Sequence, residues 1–278
     1  MPMKSRWFAL FGALLLAVIA AGSARAGAVL DRIRERGVIR VATDPAYPPQ
    51  SVQKPDGSFE GFDIDVATEI AKRLGVKIEF VTPAWEIITA GKWGERWDLS
   101  VGSMTPTKER ARVLDFPAIY YYTPASFTTH EACPYEKVED LNGKVIGTCG
   151  GCTYEFYLRH NLNIDAEGVP PFEYRVTPGE IRTYETDTNV FDDLKLGCGV
   201  RLDAGISALP TINEAIKAGY PLKLVGDPVF YEPLAVAIDK GDPEFFAELK
   251  RIVEEMHADG TLTKFSMKWY GVDLTKAQ

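Results

Sequence analysis

The chain has 278 residues, a formal net charge of −8 at pH 7 and four cysteines. Acidic side chains outnumber basic ones and no basic cluster interrupts them, so the composition argues against nucleic acid or an anionic membrane surface as a partner. A chain of this length can bury real hydrophobic cores, either in one large domain or in two lobes of ordinary size.

Residues 1–26 have the pattern of a secretory signal peptide. Lys4 and Arg6 precede an apolar run from Trp7 to Ala21, and Ala24-Arg25-Ala26 forms a small-residue cleavage pattern. The run is too short to cross a bilayer, and no second run of this kind follows. We therefore expect an exported, soluble protein; a retained N-terminal anchor is the alternative. Loss of the three basic residues of this segment takes the formal charge from −8 to −11.

The hydrophobic pattern predicts alternating strands and helices along the rest of the chain. Predicted strands lie at 38–43, 76–81, 97–103, 144–148, 174–176 and 202–206, and predicted helices at 63–74, 85–91, 153–160, 188–196, 244–258 and 262–270. This order indicates largely parallel sheets with helices on both faces, and ligands collect at the carboxyl ends of such strands. Two such units, with a tail that returns to the first, predict a bilobed α/β molecule with a cleft.

The segment from Ser100 to Arg110 carries the strongest signal for a binding site. Gly102, Ser103 and Thr105 follow a predicted strand, and Arg110 comes soon after them. We interpret Thr105-Pro106 as the start of a helix, where free N–H groups and a nearby guanidinium together favour a carboxylate. The alternative is an ordinary helix cap followed by a solvated arginine.

The cysteines favour disulfide bonds, because the chain is predicted to be exported. Zinc ligation is disfavoured, since no second closely spaced pair exists and the three histidines are scattered. A redox role for the Cys149-Gly-Gly-Cys152 segment is disfavoured as well, because its flanks lack a thioredoxin-like pattern. Four cysteines allow three complete pairings. The sequence does not choose among the pairings of Cys133, Cys149, Cys152 and Cys198.

Six segments occur in a characteristic order: Ile-Arg-Val-Ala-Thr-Asp-Pro-Ala-Tyr-Pro-Pro at 39–49, Gly-Phe-Asp-Ile-Asp-Val-Ala at 61–67, Met-Thr-Pro-Thr-Lys-Glu-Arg at 104–110, Asp-Phe and three tyrosines within 115–122, Gly-Lys-Val-Ile-Gly at 143–147, and Ala-Asp-Gly-Thr at 258–261. Together they resemble the amino-acid-binding group (family 3) of bacterial periplasmic solute-binding proteins of ABC importers. The resemblance extends from about Val38 to Tyr270.

This resemblance implies a two-lobed periplasmic binding protein fold, in which each lobe is a mainly parallel sheet flanked by helices and two hinge segments join the lobes. It implies a first lobe of residues 27–123 plus 233–278, a second lobe of residues 124–232, and hinges near 122–126 and 229–233. Such a protein closes on a small carboxylate-bearing solute, an amino acid or a derivative, and delivers it in the periplasm to the membrane permease of an ABC importer.

We further expect a monomer that is not an enzyme and that uses no cofactor or metal. The alternative is an exported dehydratase-like enzyme on the same fold that acts on a small carboxylate. Such an enzyme would need a general acid positioned in the cleft. No histidine falls at a predicted cleft position.

The resemblance also implies a set of ligand-binding residues. Arg110 would bind the ligand carboxylate, and Thr153 would contact the ligand from the opposite side of the cleft. Tyr47 and Trp85 would line the pocket, and Asp44 falls where the family often has a polar residue. The whole set is Arg110, Thr105, Ser103, Gly102, Thr153, Tyr47, Trp85, Asp44 and Cys152.

The sequence departs from the family pattern at the group expected to bind an ammonium. An acidic residue is usual about five positions after the aspartate that matches Asp203, and this chain has Ala208 there. A buried ammonium without a counter-charge is costly. Either another carboxylate substitutes or the solute is not a simple α-amino acid; the candidate carboxylates are Glu155, Glu180, Glu185 and Glu232.

The sequence also supports expectations about Gln50, Asp63 and Asp65. Gln50 stands where the family usually has phenylalanine. Asp63 and Asp65 are interpreted as residues that stabilise the start of a helix rather than as ligand contacts.

Overall fold

The structure, a computed structural model, describes residues 28–277; the predicted signal peptide lies outside them. The helices are α1 (Ala28–Arg36), α2 (Phe62–Leu74), α3 (Trp85–Thr89), α4 (Thr153–Leu158), α5 (Asp187–Leu194), α6 (Leu209–Lys217), α7 (Pro243–Ala258) and α8 (Thr261–Tyr270). Short 3₁₀ helices lie at Arg110–Arg112 and Val138–Leu141. Within residues 28–277 no helix is long and apolar enough to span a membrane.

The strands are β1 (Val38–Ala42), β2 (Ala46–Tyr47), β3 (Ser51–Gln53), β4 (Phe59–Glu60), β5 (Lys77–Val81), β6 (Leu99–Met104), β7 (Leu114–Asp115), β8 (Ile119–His130), β9 (Val145–Cys149), β10 (Glu180–Tyr184), β11 (Ala204–Ala208) and β12 (Leu222–Asp239). Strands β2, β3 and β4 form a small sheet of their own, and the other nine form one mixed sheet in the order β10-β9-β11-β8-β12-β6-β1-β5, with β7 beside β12.

The large sheet is parallel at its two ends and antiparallel in its middle. Strand β1 runs parallel to β5 and β6, and β9 runs parallel to β10 and β11. The long strands β8 and β12 pair antiparallel with each other and with their outer neighbours. The predicted α/β class with parallel strands is confirmed, and the two central strands make the sheet mixed.

Strands β8 and β12 contain both predicted hinge segments. Ala125 pairs with Phe230 and Tyr122 with Pro233, so the two segments lie side by side. The register shifts between Val225 and Phe230, which interrupts the ladder beside the predicted hinge. The boundaries of the lobes stay a prediction.

Helix α2 shows why the first hydrophobic core forms where it does. Its apolar residues recur every three to four positions, so one face packs against the sheet and against α7 and α8. The helix ends at Gly75, whose φ of 72° suits glycine. A separate core lies beneath α4 and the second group of parallel strands.

Two predicted local features are wrong. Residues 174–176 form no strand; Tyr174 instead stacks on His160, and β10 begins at Glu180. No helix begins at Thr105-Pro106, because this segment pairs with residues 163–165: Lys108 N donates to Asn163 O and Asp165 N to Pro106 O. These long-range backbone bonds outweigh the local preference for a helix.

Asp63 and Asp65 lie in the first turn of α2, where acidic residues favour the start of a helix as expected, but neither is its N-cap residue. Gly61 is the N-cap residue of α2, and no side chain caps it. Asp63 instead accepts hydrogen bonds from Ser103 Oγ and Tyr120 Oη, both at 2.7 Å. Asp65 accepts hydrogen bonds from Trp269 and Lys268 at 2.7 Å.

Candidate functional site

One cavity gathers all nine predicted ligand-binding residues where the two lobes meet. It encloses about 490 Å³ of space free of protein atoms, the solvent at its mouth included. The lining residues are Asp44, Tyr47, Trp85, Gly102, Ser103, Thr105, Arg110, Cys149, Cys152, Thr153, Tyr154, Glu185, Thr186, Asp187 and Glu232.

Arg110 is the buried cation of this cavity, with 4% of its surface exposed. Its Nη1 donates to Thr105 O and its Nη2 to Gly151 O, both at 2.9 Å, and no described residue accepts from its buried Nε. Burial lowers the pKa of Arg110 to about 10, and the charge of Glu232 opposes that shift. The guanidinium therefore stays charged near neutral pH.

Glu232 joins the two sides of the cavity. Thr105 Oγ1 donates to its Oε1 at 2.9 Å, and Thr153 Oγ1 donates to the same oxygen. Burial raises the pKa of Glu232, whereas bonds from Thr153, Tyr154 and Thr105 and the charge of Arg110 lower it. Thr105 thus serves as a donor to a carboxylate on β12 and not as a helix cap.

Ser103 is held in an uncommon backbone conformation at the end of β6, with φ 55°. Its N–H donates to Tyr120 Oη at 2.9 Å, and its hydroxyl donates to Asp63. Burial raises the pKa of Asp63 to about 7, and the nearby charge of Asp44 adds to this, while Ser103 and Tyr120 oppose it. This network fixes the orientation of the Gly102-Ser103 segment at the cavity wall.

The aromatic side chains form further contacts at the cavity wall. Tyr47 Oη lies 3.3 Å from Tyr154 Oη, and Trp85 Nε1 donates to Gly151 O at 3.3 Å. The Trp85 ring also lies against the Arg110 guanidinium, 5.3 Å from its centroid.

Both pairs of cysteines form disulfides, Cys133 with Cys198 and Cys149 with Cys152. This confirms the prediction of disulfides and decides the pairing that the sequence left open. The second disulfide closes the loop that presents Gly151, and both of its cysteines line the cavity. No group of histidine, cysteine or acidic residues within 28–277 could hold a metal ion.

The remaining charges of the cavity are acidic. Asp44, Glu185 and Asp187 line it together with Glu232. Burial raises the pKa of Asp44, and the charge of Glu185 adds to this. Burial raises the pKa of Asp187 to about 8, with further increases from the charges of Asp44 and Glu232 and an opposing effect of the Ser207 hydroxyl.

Only two of the four candidates for the missing acid lie in the cavity, Glu185 and Glu232. Glu155 instead accepts from Gly151 N and pairs with Arg159, and Glu180 pairs with Arg182. Ala208 is buried where β11 meets α6.

Sequence reasoning did not single out Asp187 or Tyr154. Asp187 follows the N-cap Thr186, whose hydroxyl accepts from Asn189 N. That Thr-Asp-x-Asn start of a helix, directly after β10, is the signal that could have indicated a cavity-facing acid. Gln50, which departs from the family pattern, donates to Thr211 Oγ1 at 3.0 Å and lies outside the cavity lining.

Residues 39–272 match the family of bacterial extracellular solute-binding proteins, family 3. The chain is 30% identical over 274 residues to the L-cystine-binding protein TcyJ of Escherichia coli strain K12, covering 96% of this chain and 97% of that protein. Among solved structures, it is 31% identical to an ancestral amino acid-binding protein described as a precursor of cyclohexadienyl dehydratase, with a TM-score of 0.74 and coverage of 87% and 99%.

An ancestral arginine-binding protein bound to arginine gives a TM-score of 0.73 at 30% identity, with coverage of 85% of this chain and 99% of that one. The chain therefore belongs to family 3 of the bacterial extracellular solute-binding proteins. Its named relatives are binding proteins, which agrees with the expectation of a solute-binding protein and not an enzyme.

Proposed function

We propose that this protein is a periplasmic receptor that binds an amino acid or an amino acid derivative in the cavity and delivers it to the membrane permease of an ABC importer. One observation carries the proposal: a buried guanidinium, that of Arg110, lies at the wall of a cavity between two lobes and keeps an unpartnered N–H. Carboxylates are the anions that such a planar, charged donor recognises best.

Within this proposal Arg110 binds the solute carboxylate, and Gly102 and Ser103 form the cavity wall beside it. Thr105 and Thr153 hold Glu232 next to the guanidinium, so these residues position Arg110 as well as line the site. Tyr47, Trp85, Asp44 and Cys152 form the walls around the rest of the solute.

The solute would act by stabilising the closed arrangement of the lobes, because it contacts both of them only when they meet. The segments 122–126 and 229–233 would absorb the rotation. Their direct pairing in β8 and β12 supports this, since a bend there turns both connections together. The first lobe would comprise residues 27–123 and 233–278, and the second residues 124–232.

The relatives support an amino acid as the solute. TcyJ is named for L-cystine, and one ancestral structure holds arginine. A dehydratase-like activity is the competing proposal, and it predicts that a bound carboxylate is consumed.

A thermal-shift screen of the exported chain tests the proposal, because a ligand that binds only the folded state raises the melting temperature. The screen would include amino acids, opines, betaines, small dicarboxylates and sulfonates, followed by calorimetry on each hit. We expect hits among amino acids or their derivatives, recovered unchanged by chromatography. A screen in which no such compound stabilises the protein would overturn the proposal, and consumption of a hit would favour the enzyme.

A further inference from the structure

Among the acidic residues that line the cavity, Asp187 is the buried one whose carboxylate has the fewest hydrogen-bond partners. It is the first residue of α5, and 5% of its surface is exposed. Its Oδ1 is buried and has no partner within hydrogen-bond distance among the described residues; the Ser207 hydroxyl, itself unpartnered, lies near enough to lower the pKa of Asp187. Because an unpartnered buried carboxylate oxygen is costly, such an atom at a cavity wall indicates a ligand that supplies the missing donor.

The other three acids of the cavity are already engaged or exposed. Glu232 Oε1 accepts from Thr105 and Thr153 beside Arg110. Asp44 Oδ1 accepts from Ala46 N at 2.7 Å. Glu185 is exposed to solvent.

The charges near Asp187 are of its own sign. Asp44 and Glu232 are the charged groups that act on it, and none of the ion pairs formed within residues 28–277 includes it. Arg110 is the cation that lines the cavity, and Glu232 already offsets its charge. The cavity wall thus has one cationic group, Arg110. Asp187 has no cation of the described residues beside it.

We propose that Asp187 binds a cationic nitrogen of the solute while Arg110 binds its carboxylate, so that the site selects compounds that carry both groups over carboxylates that lack a cation. This inference rests on the proposed function and names the chemical class of its solute. A cationic nitrogen supplies the N–H donor that Asp187 Oδ1 lacks and the charge that its surroundings lack. The position of Asp187 in the first turn of α5 further favours its ionised form once a cation is bound.

The binding of a cation should also release a proton. Burial and like charges raise the pKa of Asp187 to about 8, so the free protein carries a proton there at pH 7. Binding requires the carboxylate, and the proton leaves to the buffer. The other titratable or charged groups that line the cavity are Asp44, Glu185, Glu232, Tyr47, Tyr154 and Arg110.

The test compares the wild type, Asp187→Asn and Asp192→Asn by titration calorimetry. The probes are L-arginine, L-glutamine and glutaramate, which is glutamine without its ammonium group; a stronger amino acid from the screen, with its deamino analogue, replaces them where it binds better. Asp192→Asn makes the same chemical change on the same helix, at a residue that pairs with Lys195 at the surface.

We expect Asp187→Asn to weaken binding of the amino acids by about tenfold or more, the usual loss for a hydrogen bond between charged groups. Asp192→Asn should bind them as the wild type does. The wild type should prefer glutamine over glutaramate, and Asp187→Asn should lose most of that preference. In buffers of different ionisation enthalpy, the wild type should release up to about one proton per solute near pH 7, and Asp187→Asn should release less.

Two results would overturn the inference. One is an Asp187→Asn protein that binds amino acids as tightly as the wild type; the other is an equal loss for glutamine and glutaramate with unchanged proton release. Either would leave the proposed function intact as long as the wild type binds amino acids. A wild type that binds no amino acid derivative removes the proposed function itself. Proton release by the wild type needs no variant, so it remains informative if Asp187→Asn folds poorly.

Discussion

Arg110 Nη2 donates a hydrogen bond to Gly151 O at 2.9 Å, and this bond joins two segments of the chain that lie 41 positions apart. Gly151 O also accepts from Trp85 Nε1. One carbonyl in a loop closed by a disulfide therefore receives two donors, from Trp85 and from Arg110. In the proposed function, the binding of the solute carboxylate and the closure of the lobes would depend on the same arginine.

The substitution Arg110→Ala should abolish tight binding. Removing one partner from a buried charge-assisted contact typically costs about 3 kcal/mol, or roughly a hundredfold in affinity. Arg110→Lys should recover only part of this, because an ammonium lacks the planar fork of the guanidinium. Calorimetry with the strongest solute of the screen measures both. Arg112→Ala, which removes an exposed arginine outside the cavity lining, is the matched control. Equal affinities in the two alanine variants would exclude Arg110 from the site.

The effects of Thr105→Val and Thr153→Val on the free energy of unfolding should be coupled. Both hydroxyls donate to the same Glu232 oxygen, so each variant keeps the shape of the side chain and removes one donor. We expect each to lower the free energy of unfolding by about 1–2 kcal/mol, with a double variant that is clearly non-additive. Denaturant titration measures the cycle.

The control for this cycle pairs Thr105→Val with Thr188→Val. Thr188 also donates across the cleft, but to Ala46 O. Because these two threonines share no acceptor, their effects should add. Additive behaviour in the Thr105 and Thr153 cycle as well would show that Glu232 does not couple them.

The stability of the solute-free protein should depend on Asp187 in a pH-dependent way. Its pKa is about 8 in the folded state against an ordinary value of 3.8. Between these values the folded state holds more protons than the unfolded state, so the contribution of Asp187 to stability falls as the pH rises. Relative to the wild type, Asp187→Asn should therefore gain stability by up to about 1.4 kcal/mol per pH unit between about pH 5 and pH 7.

Denaturant unfolding of both proteins across that range measures the difference. Asp259 provides the opposite case, because bonds from Thr261 and Arg73 lower its pKa to about 2. Its contribution to stability is present above the ordinary pKa of an aspartate and is lost as the pH falls toward 2, so Asp259→Asn should differ from the wild type above about pH 4 and less below it. A difference between Asp187→Asn and the wild type that stays constant from about pH 5 to pH 8 would contradict the raised pKa of Asp187.

The two disulfides should have different consequences. Cys133 and Cys198 lie 65 residues apart, whereas Cys149 and Cys152 are separated by 3. Loop-closure entropy predicts losses of unfolding free energy of about 4 and about 2 kcal/mol, respectively, when each pair is replaced by serine. The loss of affinity for the solute should instead be larger when Cys149 and Cys152 are replaced, because only this pair lines the cavity and closes the loop of Gly151.

Denaturation and calorimetry on the two double-serine variants test this comparison. Each variant is the control of the other. A larger loss of affinity in the Cys133→Ser/Cys198→Ser protein would mean that the loop of Gly151 keeps its shape without its disulfide.

The sequence alone determined the features that depend on neighbouring residues. The periodicity of α2 and the order of strands and helices indicate the α/β class, and the motif around Arg110 indicates a carboxylate site. All nine predicted residues, from Asp44 to Thr153, line the cavity, in keeping with the tendency of ligands to bind at the carboxyl ends of parallel strands.

Only the tertiary structure decided which groups these residues meet. Thr105 resembled a helix cap, but its loop pairs with residues 163–165 and its hydroxyl donates to Glu232, 127 positions away. The disulfide pairing and the burial of Asp187 likewise depend on contacts between distant segments. Local sequence sets the backbone preference and the chemistry of a side chain, whereas its partners and its desolvation come from whatever the folded chain packs against it.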